Sequence, residues 1–362
     1  MKRIIALALV LVMMLCACGK KEPDPTIPST TEPTTQPPTT QPPTTQPPTE
    51  ETKPKEVLYR HPLNGAPLEE PWSGQAIAVV VNNLKNAMPQ KGISQADIFY
   101  EIEVEGDITR CLAVFSDLSK VADIGPIRSA RTYFNSVAVS YDAPLIHCGG
   151  SQGLALAAKY DDSYDKIDNW EHIDSDSKYF FRDLDRYNSG YAWEHTLFTT
   201  GEKLQAAIDA YGYNTPTDKT FGLQFKDGVE LTGETAEEIT IKFKGGKNTI
   251  LTYDASLGQY KVNIHGSEHI DGNTKQPVTF KNVIAIYTKQ WYHSNGTHKF
   301  YNTIGSGEGY AAIGGKIVPI TWTRESLRTP YVYTLADGTP LDLDVGPTDI
   351  ALVGTKHPIA YK

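Results

Sequence analysis

The sequence of 362 residues has little cysteine and no excess of positive charge. Of its four cysteines, only Cys111 and Cys148 lie beyond residue 18, and the absence of a C-x-x-C pair argues against thiol-redox chemistry. The two thiols could be buried and free, or they could form a disulfide in an exported protein. Lysine and arginine number 34 against 43 acidic residues, a formal charge of −9. Because nonspecific nucleic-acid binding needs a basic surface, we expect no nucleic-acid partner.

Motifs of several enzyme classes are also missing. The chain contains no P-loop, no dinucleotide-binding glycine pattern and no zincin motif, and Ser151 lies outside a G-x-S-x-G elbow. The acidic residues around His172 lack the spacing of a zinc or calcium site. We therefore expect no cofactor and no metal.

A single long apolar run, from Ile4 to Leu15, follows two basic residues at the N-terminus. It is shorter than the roughly 20 residues that a membrane-spanning helix needs, and it has the length of the hydrophobic region of a signal peptide. The run ends in LCAC, a lipobox pattern whose last residue is Cys18. We predict that residues 1–17 are a signal peptide and that acyl chains on Cys18 anchor the protein to the membrane. An ordinary cleaved signal peptide is the alternative.

Residues 18–55 contain almost no large apolar side chains, and 34–48 are three copies of TTQPP. Such a segment cannot bury enough apolar surface to fold, and its prolines favour an extended spacer with a reach on the order of 100 Å. We predict a Thr/Pro-rich tether that projects the rest of the chain from the outer face of the cytoplasmic membrane. A long spacer of this kind suggests the cell wall of a Gram-positive host.

The remaining residues divide into two blocks with different patterns. In residues 56–215, strand and helix patterns alternate, which predicts an α/β domain. The predicted strands are 76–82, 97–104, 108–116 and 144–148, and the predicted helices are 130–141, 152–160 and 203–211. Residues 216–362 form short apolar runs between turn residues, which predicts a mainly antiparallel β domain. Its strands are expected at 238–243, 249–254, 259–264, 278–291, 309–322 and 330–335.

The densest set of charged residues lies in the first block, on a predicted hairpin and the loop after it. The set comprises Glu101, Glu103, Glu105, Arg110, Arg128, Ser129 and Arg131. Alternation along a strand places the three glutamates on one face. The loop opens a helix, whose free N–H groups favour anions, and arginine binds phosphate or carboxylate through two parallel hydrogen bonds. The set could bind an anionic ligand, or the glutamates could only neutralise the arginines.

A second candidate stretch ends the strand at 144–148. It comprises His147, Gly149, Gly150 and Ser151, and glycines at this place let a ligand approach backbone N–H groups. A tight turn without a binding role is the alternative. His195 could line the same cleft or be a buried histidine with satisfied hydrogen bonds.

These stretches resemble the motifs of the YerB-like lipoproteins, a two-domain family of unknown function. The resemblance rests on ADIFYEIEVEGDITRCLAVF (96–115), IGPIRSAR (124–131), HCGGS (147–151), WEHTLF (193–198) and AIGGKIVPITWTR (312–324). WEHTLF departs from the family's Pro-His-Asn-Leu pattern at Glu194 and Thr196. The resemblance implies a three-layer α/β domain with a mixed sheet, a smaller β-rich C-terminal domain and a place in the cell envelope. It implies no established activity.

We therefore expect a non-catalytic envelope protein of mixed α/β (α+β) fold. Its first domain would present an Arg/Glu-lined cleft for an anionic or wall-derived ligand, or for an envelope protein partner. The alternative is a cell-wall-modifying enzyme. It would be a hydrolase with Glu101 and Glu103 as acid and base, or a transferase that holds phosphate with Arg128 and Arg131.

Overall fold

The structure is a computed structural model that describes residues 59–150, 166–168, 176–292, 296, 298–355 and 357–362. The predicted signal peptide, Cys18, the tether, Ser151 and the predicted helix at 152–160 lie outside these residues. Residues 55–362 form one compact unit. Within the described ranges, no helix has both the length and the apolar character that crossing a membrane requires.

A mixed sheet of eleven strands lies at the centre of this unit. With strands numbered along the chain, its spatial order is β12 (Glu234–Thr235), β22 (Lys316–Arg324), β21 (Gly305–Ile313), β18 (Asn282–Thr288), β25 (Thr348–Gly354), β4 (Ile98–Glu103), β5 (Thr109–Phe115), β3 (Ile77–Asn82), β7 (Leu145–His147) and β8 (Lys166–Asp168), with β23 (Val332–Leu335) paired to β22. The inner strands β3, β4, β5 and β25 are buried along their whole length. Continuous apolar runs are what strands covered on both faces require.

The central sheet continues through both sequence blocks. Strand β25, near the C-terminus, pairs in parallel with β18 on one side and with β4 on the other. This pairing brings Ile350 opposite Tyr100. The fold class is therefore confirmed as mixed and strand-rich, but the two blocks contribute strands to one sheet. The predicted division at residue 215 does not coincide with a boundary between sheets.

A second, smaller sheet covers one face of the central sheet. Its strands are β16 (Ser267–Glu268), β15 (Gln259–Ile264), β14 (Asn248–Asp254), β13 (Glu238–Lys242) and β26 (Ala360–Tyr361), with β17 (Thr279–Phe280) paired to β15. All its pairings are antiparallel, as predicted for this block. Buried and partly exposed residues alternate along β15, the pattern of a sheet with one face on a core.

Four short sheets and four helices complete the described elements. The sheets pair β6 (Asp123–Ile124) and β9 (Phe181–Arg182) with β10 (Leu197–Thr200), β1 (Tyr59–Arg60) with β2 (Pro67–Leu68), β11 (Gln224–Lys226) with β24 (Asp342–Asp344), and β19 (Gln290–Tyr292) with β20 (Lys299–Tyr301). The helices are α1 (Thr132–Ser140), α2 (Asp176–Tyr179), α3 (Leu184–Asn188) and α4 (Gly201–Tyr211), and single 3₁₀ turns span Lys85–Ala87, Ile93–Gln95, Glu105–Asp107, Trp193–His195 and Lys244–Gly246.

Each face of the central sheet has its own hydrophobic core. Val79 and Cys111 point into the core that also contains residues of β13, β14 and α4. Val80 and Leu112, the next residues along the same strands, point into the core that contains α1. The central sheet is thus the middle of three layers. Cys111 and Cys148 are not joined by a disulfide.

Helix α4 begins at Gly201, two residues before the start of the helix predicted at 203–211. The Thr200 hydroxyl accepts the Lys203 N–H at 3.1 Å, whereas the Thr199 hydroxyl donates to the Tyr179 carbonyl. The helix ends at Gly212 with φ +69°, a left-handed conformation that suits glycine.

Candidate functional site

Parallel strands β3 and β7 separate at their carboxyl ends. Beyond their paired residues, the segment 127–130 lies between them. The Arg128 N–H donates to the Val80 carbonyl at 3.0 Å, and the Cys148 N–H donates to the Arg128 carbonyl at 3.1 Å. The Ala130 N–H donates to the Gly149 carbonyl at 2.9 Å. Ligands of open α/β sheets bind at the carboxyl ends of strands, where neighbouring connections diverge.

Arg110 lies at the start of β5, at this end of the sheet. Its side chain is buried, and Nη1 donates to the Ser129 carbonyl at 2.6 Å. Among the described residues, no carboxylate lies within 4.0 Å of its guanidinium. Burial and the charges of Arg131 and Arg128 lower the pKa of Arg110 to about 9. The group is still protonated at neutral pH, so a buried cation lies here without a neutralising partner among the described residues.

The two other guanidinium groups at this end of the sheet differ in how they are neutralised. Arg131 contacts one carboxylate oxygen of Glu105 through Nε at 2.8 Å and Nη2 at 2.7 Å. Burial alone would raise the pKa of Glu105, but the hydrogen bonds and charge of Arg131 bring this pKa below its usual value. Arg128 lies 3.4 Å from the carboxylate of Glu194, which is 54% exposed. Such exposed pairs contribute little.

We call Arg110, Arg128 and Arg131 the arginine cluster. With Glu105 and Glu194, it has three positive groups and two negative ones. The Nε of Arg128 is buried without a hydrogen-bond partner in the described part of the chain. Arg131 also directly precedes α1, so the positive end of the helix dipole lies beside the cluster.

Glu101 and Glu103 lie on the opposite face of the central sheet from Arg110. In the hairpin, Arg110 is directly across from Ile102, so its side chain points to the α1 side, whereas the two glutamates point to the smaller sheet. The predicted Glu–Arg network is therefore limited to Glu105 and Arg131. Glu105 reaches the arginines because it lies in the 3₁₀ turn after β4, where strand alternation has ended.

Both buried glutamates pair with lysines. Oε1 of Glu101 lies 2.5 Å from Nζ of Lys247, and its carboxylate also accepts hydrogen bonds from Asn83 and the hydroxyls of Thr109 and Thr249. Burial would raise the pKa of Glu101, but Lys247 and these donors lower it.

Glu103 forms an ion pair with Lys299 in which both side chains are 1% exposed, and it accepts the Lys244 N–H at 3.0 Å. The partners Lys247 and Lys299 were missed because they are 146 and 196 residues away in the chain. The available signal was the buried strand itself, since carboxylates on such a strand require buried cations.

His147, Gly149 and Gly150 lie beside the segment 127–130. Nδ1 of His147 lies 2.9 Å from the Gly149 carbonyl, and φ of Gly149 is +76°. A β-carbon on Gly149 would approach Ser129 Oγ to 3.2 Å, so glycine permits the close contact between these segments. Gly150 pairs with Ala130.

Nδ1 of His195 lies 2.9 Å from the side-chain nitrogen of Asn82 at the end of β3. Burial lowers the pKa of His195, although Glu194 opposes this effect. His195 therefore contacts the end of β3 close to Arg128. No group of three or more potential metal ligands occurs in the described ranges.

Comparisons with known proteins agree with the predicted family. The family model "Protein of unknown function (DUF3048) N-terminal domain" matches residues 63–214, and its C-terminal counterpart matches residues 239–350. "Putative lipoprotein YerB" of Bacillus subtilis (strain 168) is 27% identical over 297 residues, which cover 81% of this chain and 85% of that protein. The crystal structure of Bacillus subtilis YerB superposes with a TM-score of 0.71 at 26% identity and covers 83% of this chain and 99% of that one. The chain is thus a homologue of YerB and belongs to its two-domain family.

Proposed function

We propose that this protein is a membrane-anchored binding protein of the cell envelope, and that the arginine cluster binds the phosphate or carboxylate group of its ligand. The observation that carries the proposal is Arg110, a buried cation without an acidic partner among the described residues. An uncompensated buried charge costs several kcal/mol. A site that binds an anion regains part of this cost when the ligand arrives.

The chemistry of the arginine cluster suits an oxyanion. Guanidinium groups form short, charge-assisted hydrogen bonds to phosphate and carboxylate oxygens, often in parallel pairs. The Nε of Arg128 is a buried donor that a ligand oxygen would satisfy. The Glu194 carboxylate, which is 54% exposed, can leave Arg128 at little cost when an anion competes for it.

The place of action follows from the N-terminus. Lipidation at Cys18 and the TTQPP tether would hold the arginine cluster outside the cytoplasmic membrane, within reach of wall polymers and envelope proteins. The relative's name as a lipoprotein supports this anchor.

A binding role also fits the placement of Glu101 and Glu103. Their carboxylates are engaged by lysines on the far face of the sheet, so neither can act as acid or base on a ligand held by the arginines.

Arg110→Met tests the proposal, with Arg324→Met as a matched control. Arg324 is also buried, but its guanidinium donates five hydrogen bonds, to the Thr329, Thr303 and Leu327 carbonyls and to both oxygens of Ser136. Arg110 donates one bond within the described part of the chain. Methionine at position 110 should therefore leave the free energy of unfolding unchanged or raise it, whereas methionine at position 324 should lower it by several kcal/mol.

The readout is calorimetric titration of the full-length protein with inorganic phosphate, together with thermal unfolding. Phosphate at about 100 times its Kd should stabilise the wild type by about 2.7 kcal/mol. This stabilisation should disappear in Arg110→Met and persist in Arg324→Met. Equal phosphate binding by the wild type and Arg110→Met, or no phosphate binding by either, would contradict the proposal.

A further inference from the structure

A patch of exposed apolar side chains lies next to the arginine cluster. Leu184, Tyr187 and Trp193 are 56%, 50% and 51% exposed. The rings of Tyr187 and Trp193 meet edge to face, with centroids 5.3 Å apart. We call these two rings, together with Leu184 one helical turn before Tyr187, the aromatic platform. Adjacent exposed apolar side chains of this size mark binding surfaces more often than isolated ones do.

The platform and the arginine cluster meet in one 3₁₀ turn, Trp193–His195. Nη1 of Arg182 donates to the Trp193 carbonyl at 3.0 Å, and Nη1 of Arg128 lies 3.5 Å from the next carbonyl, that of Glu194. Because consecutive residues are about 3.8 Å apart, these two guanidinium groups lie within about 10 Å of each other. One ligand of modest size could therefore contact both.

Arg182 provides a further cation on this surface. Its guanidinium lies 4.7 Å from the centroid of the Trp193 ring, which holds the ring in place. Its Nε is buried and has no hydrogen-bond partner, and no carboxylate pairs with it, in the described ranges. Arg182 thus resembles Arg110 in having no counter-ion among the described residues.

A ligand that fits this surface combines acidic groups with a compact ring that has an apolar face. A sugar ring carrying phosphate or carboxylate meets both requirements, since its C–H face packs on aromatic rings while its acidic group binds guanidinium. A polynucleotide also combines rings and phosphates, and AMP therefore serves as the competing ligand in the test below.

We propose that the arginine cluster and the aromatic platform form one extended site for an acidic saccharide. The acidic group binds Arg110 and Arg128, and the sugar ring packs on Trp193 and Tyr187. In a longer saccharide, a second acidic group binds Arg182. This inference rests on the anion site proposed above and specifies the class of ligand.

The test measures the affinity of the full-length protein for inorganic phosphate, N-acetylglucosamine, N-acetylglucosamine 1-phosphate, galacturonate and AMP. The sugar phosphate should bind roughly threefold to tenfold more tightly than phosphate, the effect of one aromatic contact. Trp193→Ala should abolish this advantage and leave the affinity for phosphate unchanged. Trp291→Ala is the matched control, because Trp291 is 44% exposed at a different place, on β19, and it should change neither affinity.

The outcomes separate the two proposals. If phosphate does not bind, the anion site itself is wrong. If phosphate binds but the sugar adds nothing in the wild type, only the saccharide proposal fails. A preference for AMP over the sugar phosphate, or a loss of self-association in Trp193→Ala by sedimentation equilibrium, would assign the platform to a nucleotide or to a second copy of the chain and would overturn it. Galacturonate compared with the sugar phosphate identifies the acidic group that the site prefers.

Discussion

Replacing Lys247 by methionine would leave the carboxylate of Glu101 buried without its cation. The side chains of Lys247 and Glu101 are 10% and 4% exposed, and their charged atoms lie 2.5 Å apart. The hydroxyls of Thr109 and Thr249 would still donate to the carboxylate, but no positive charge would remain beside it. Removing one partner of a buried ion pair costs about 3–5 kcal/mol. At about 2–4 °C per kcal/mol, the melting temperature should fall by about 10 °C.

The same hairpin offers a matched control. Lys244 pairs with Asp107 at 3.0 Å, but the two side chains are 48% and 41% exposed. Exposed pairs contribute about 0–1 kcal/mol, so Lys244→Met should shift the melting temperature by no more than about 4 °C. Adding Glu101→Gln to Lys247→Met should recover much of the lost stability, because it removes the stranded charge.

The assay is thermal unfolding by calorimetry at pH 7, supported by urea unfolding. A loss below about 1 kcal/mol for Lys247→Met would refute the assignment of Glu101 to a buried structural pair. A double variant less stable than Lys247→Met alone would refute it as well.

Three further predictions address acid stability, packing and anchoring. The pKa values of Glu101 and Glu105 lie below their ordinary value of 4.5 in the folded protein, so both carboxylates stabilise the fold above that pH. The free energy of unfolding, measured by urea denaturation, should therefore fall as the pH drops below about 4.5. A flat profile down to about pH 3 would contradict these ion pairs. Gly201→Ala should destabilise the protein by about 1–3 kcal/mol, measured by thermal unfolding, although alanine favours helices more than glycine does. The reason is that a β-carbon at this position would lie 2.0 Å from the Leu118 carbonyl oxygen. A variant as stable as the wild type would show that the backbone shifts to relieve this contact without cost. Cys18→Ala should release the protein into the medium or leave it unprocessed in cell fractionation, and membrane retention of a processed Cys18→Ala protein would argue against lipidation.

The local elements of the fold were predictable, because their signals are local. Strands β3, β4 and β5 lie within one or two residues of the predicted runs, since buried strands need unbroken or alternating apolar residues. Strand β25 was missed although all seven of its residues are buried. Its parallel pairing with β4 joins residues about 250 positions apart, and no local pattern encodes such a contact. For the same reason, the continuity of the central sheet through both blocks could not be predicted.

The sequence predicted which residues of one part of the candidate site lie together, but not those of the other part. The arginines, His147 and the glycines meet at one end of the sheet, as the strand-to-helix pattern suggested. The grouping of Glu101 and Glu103 with Arg110 failed because the face of Arg110 depends on the register of the hairpin, which places it across from Ile102. A shift of one residue in register exchanges the two faces of a strand, and the sequence of the turn did not determine this register. The departure of Glu105 from its strand depends on the same turn, where φ of Gly106 is +75°.

The most direct test of the anion site is anomalous diffraction from crystals of the protein soaked in tungstate, a heavy-atom analogue of phosphate. We expect an anomalous peak within hydrogen-bond distance of the guanidinium groups of Arg110 and Arg128, and no such peak in crystals of Arg110→Met. A fully occupied tungstate elsewhere on the protein, with none at the arginine cluster, would contradict this expectation.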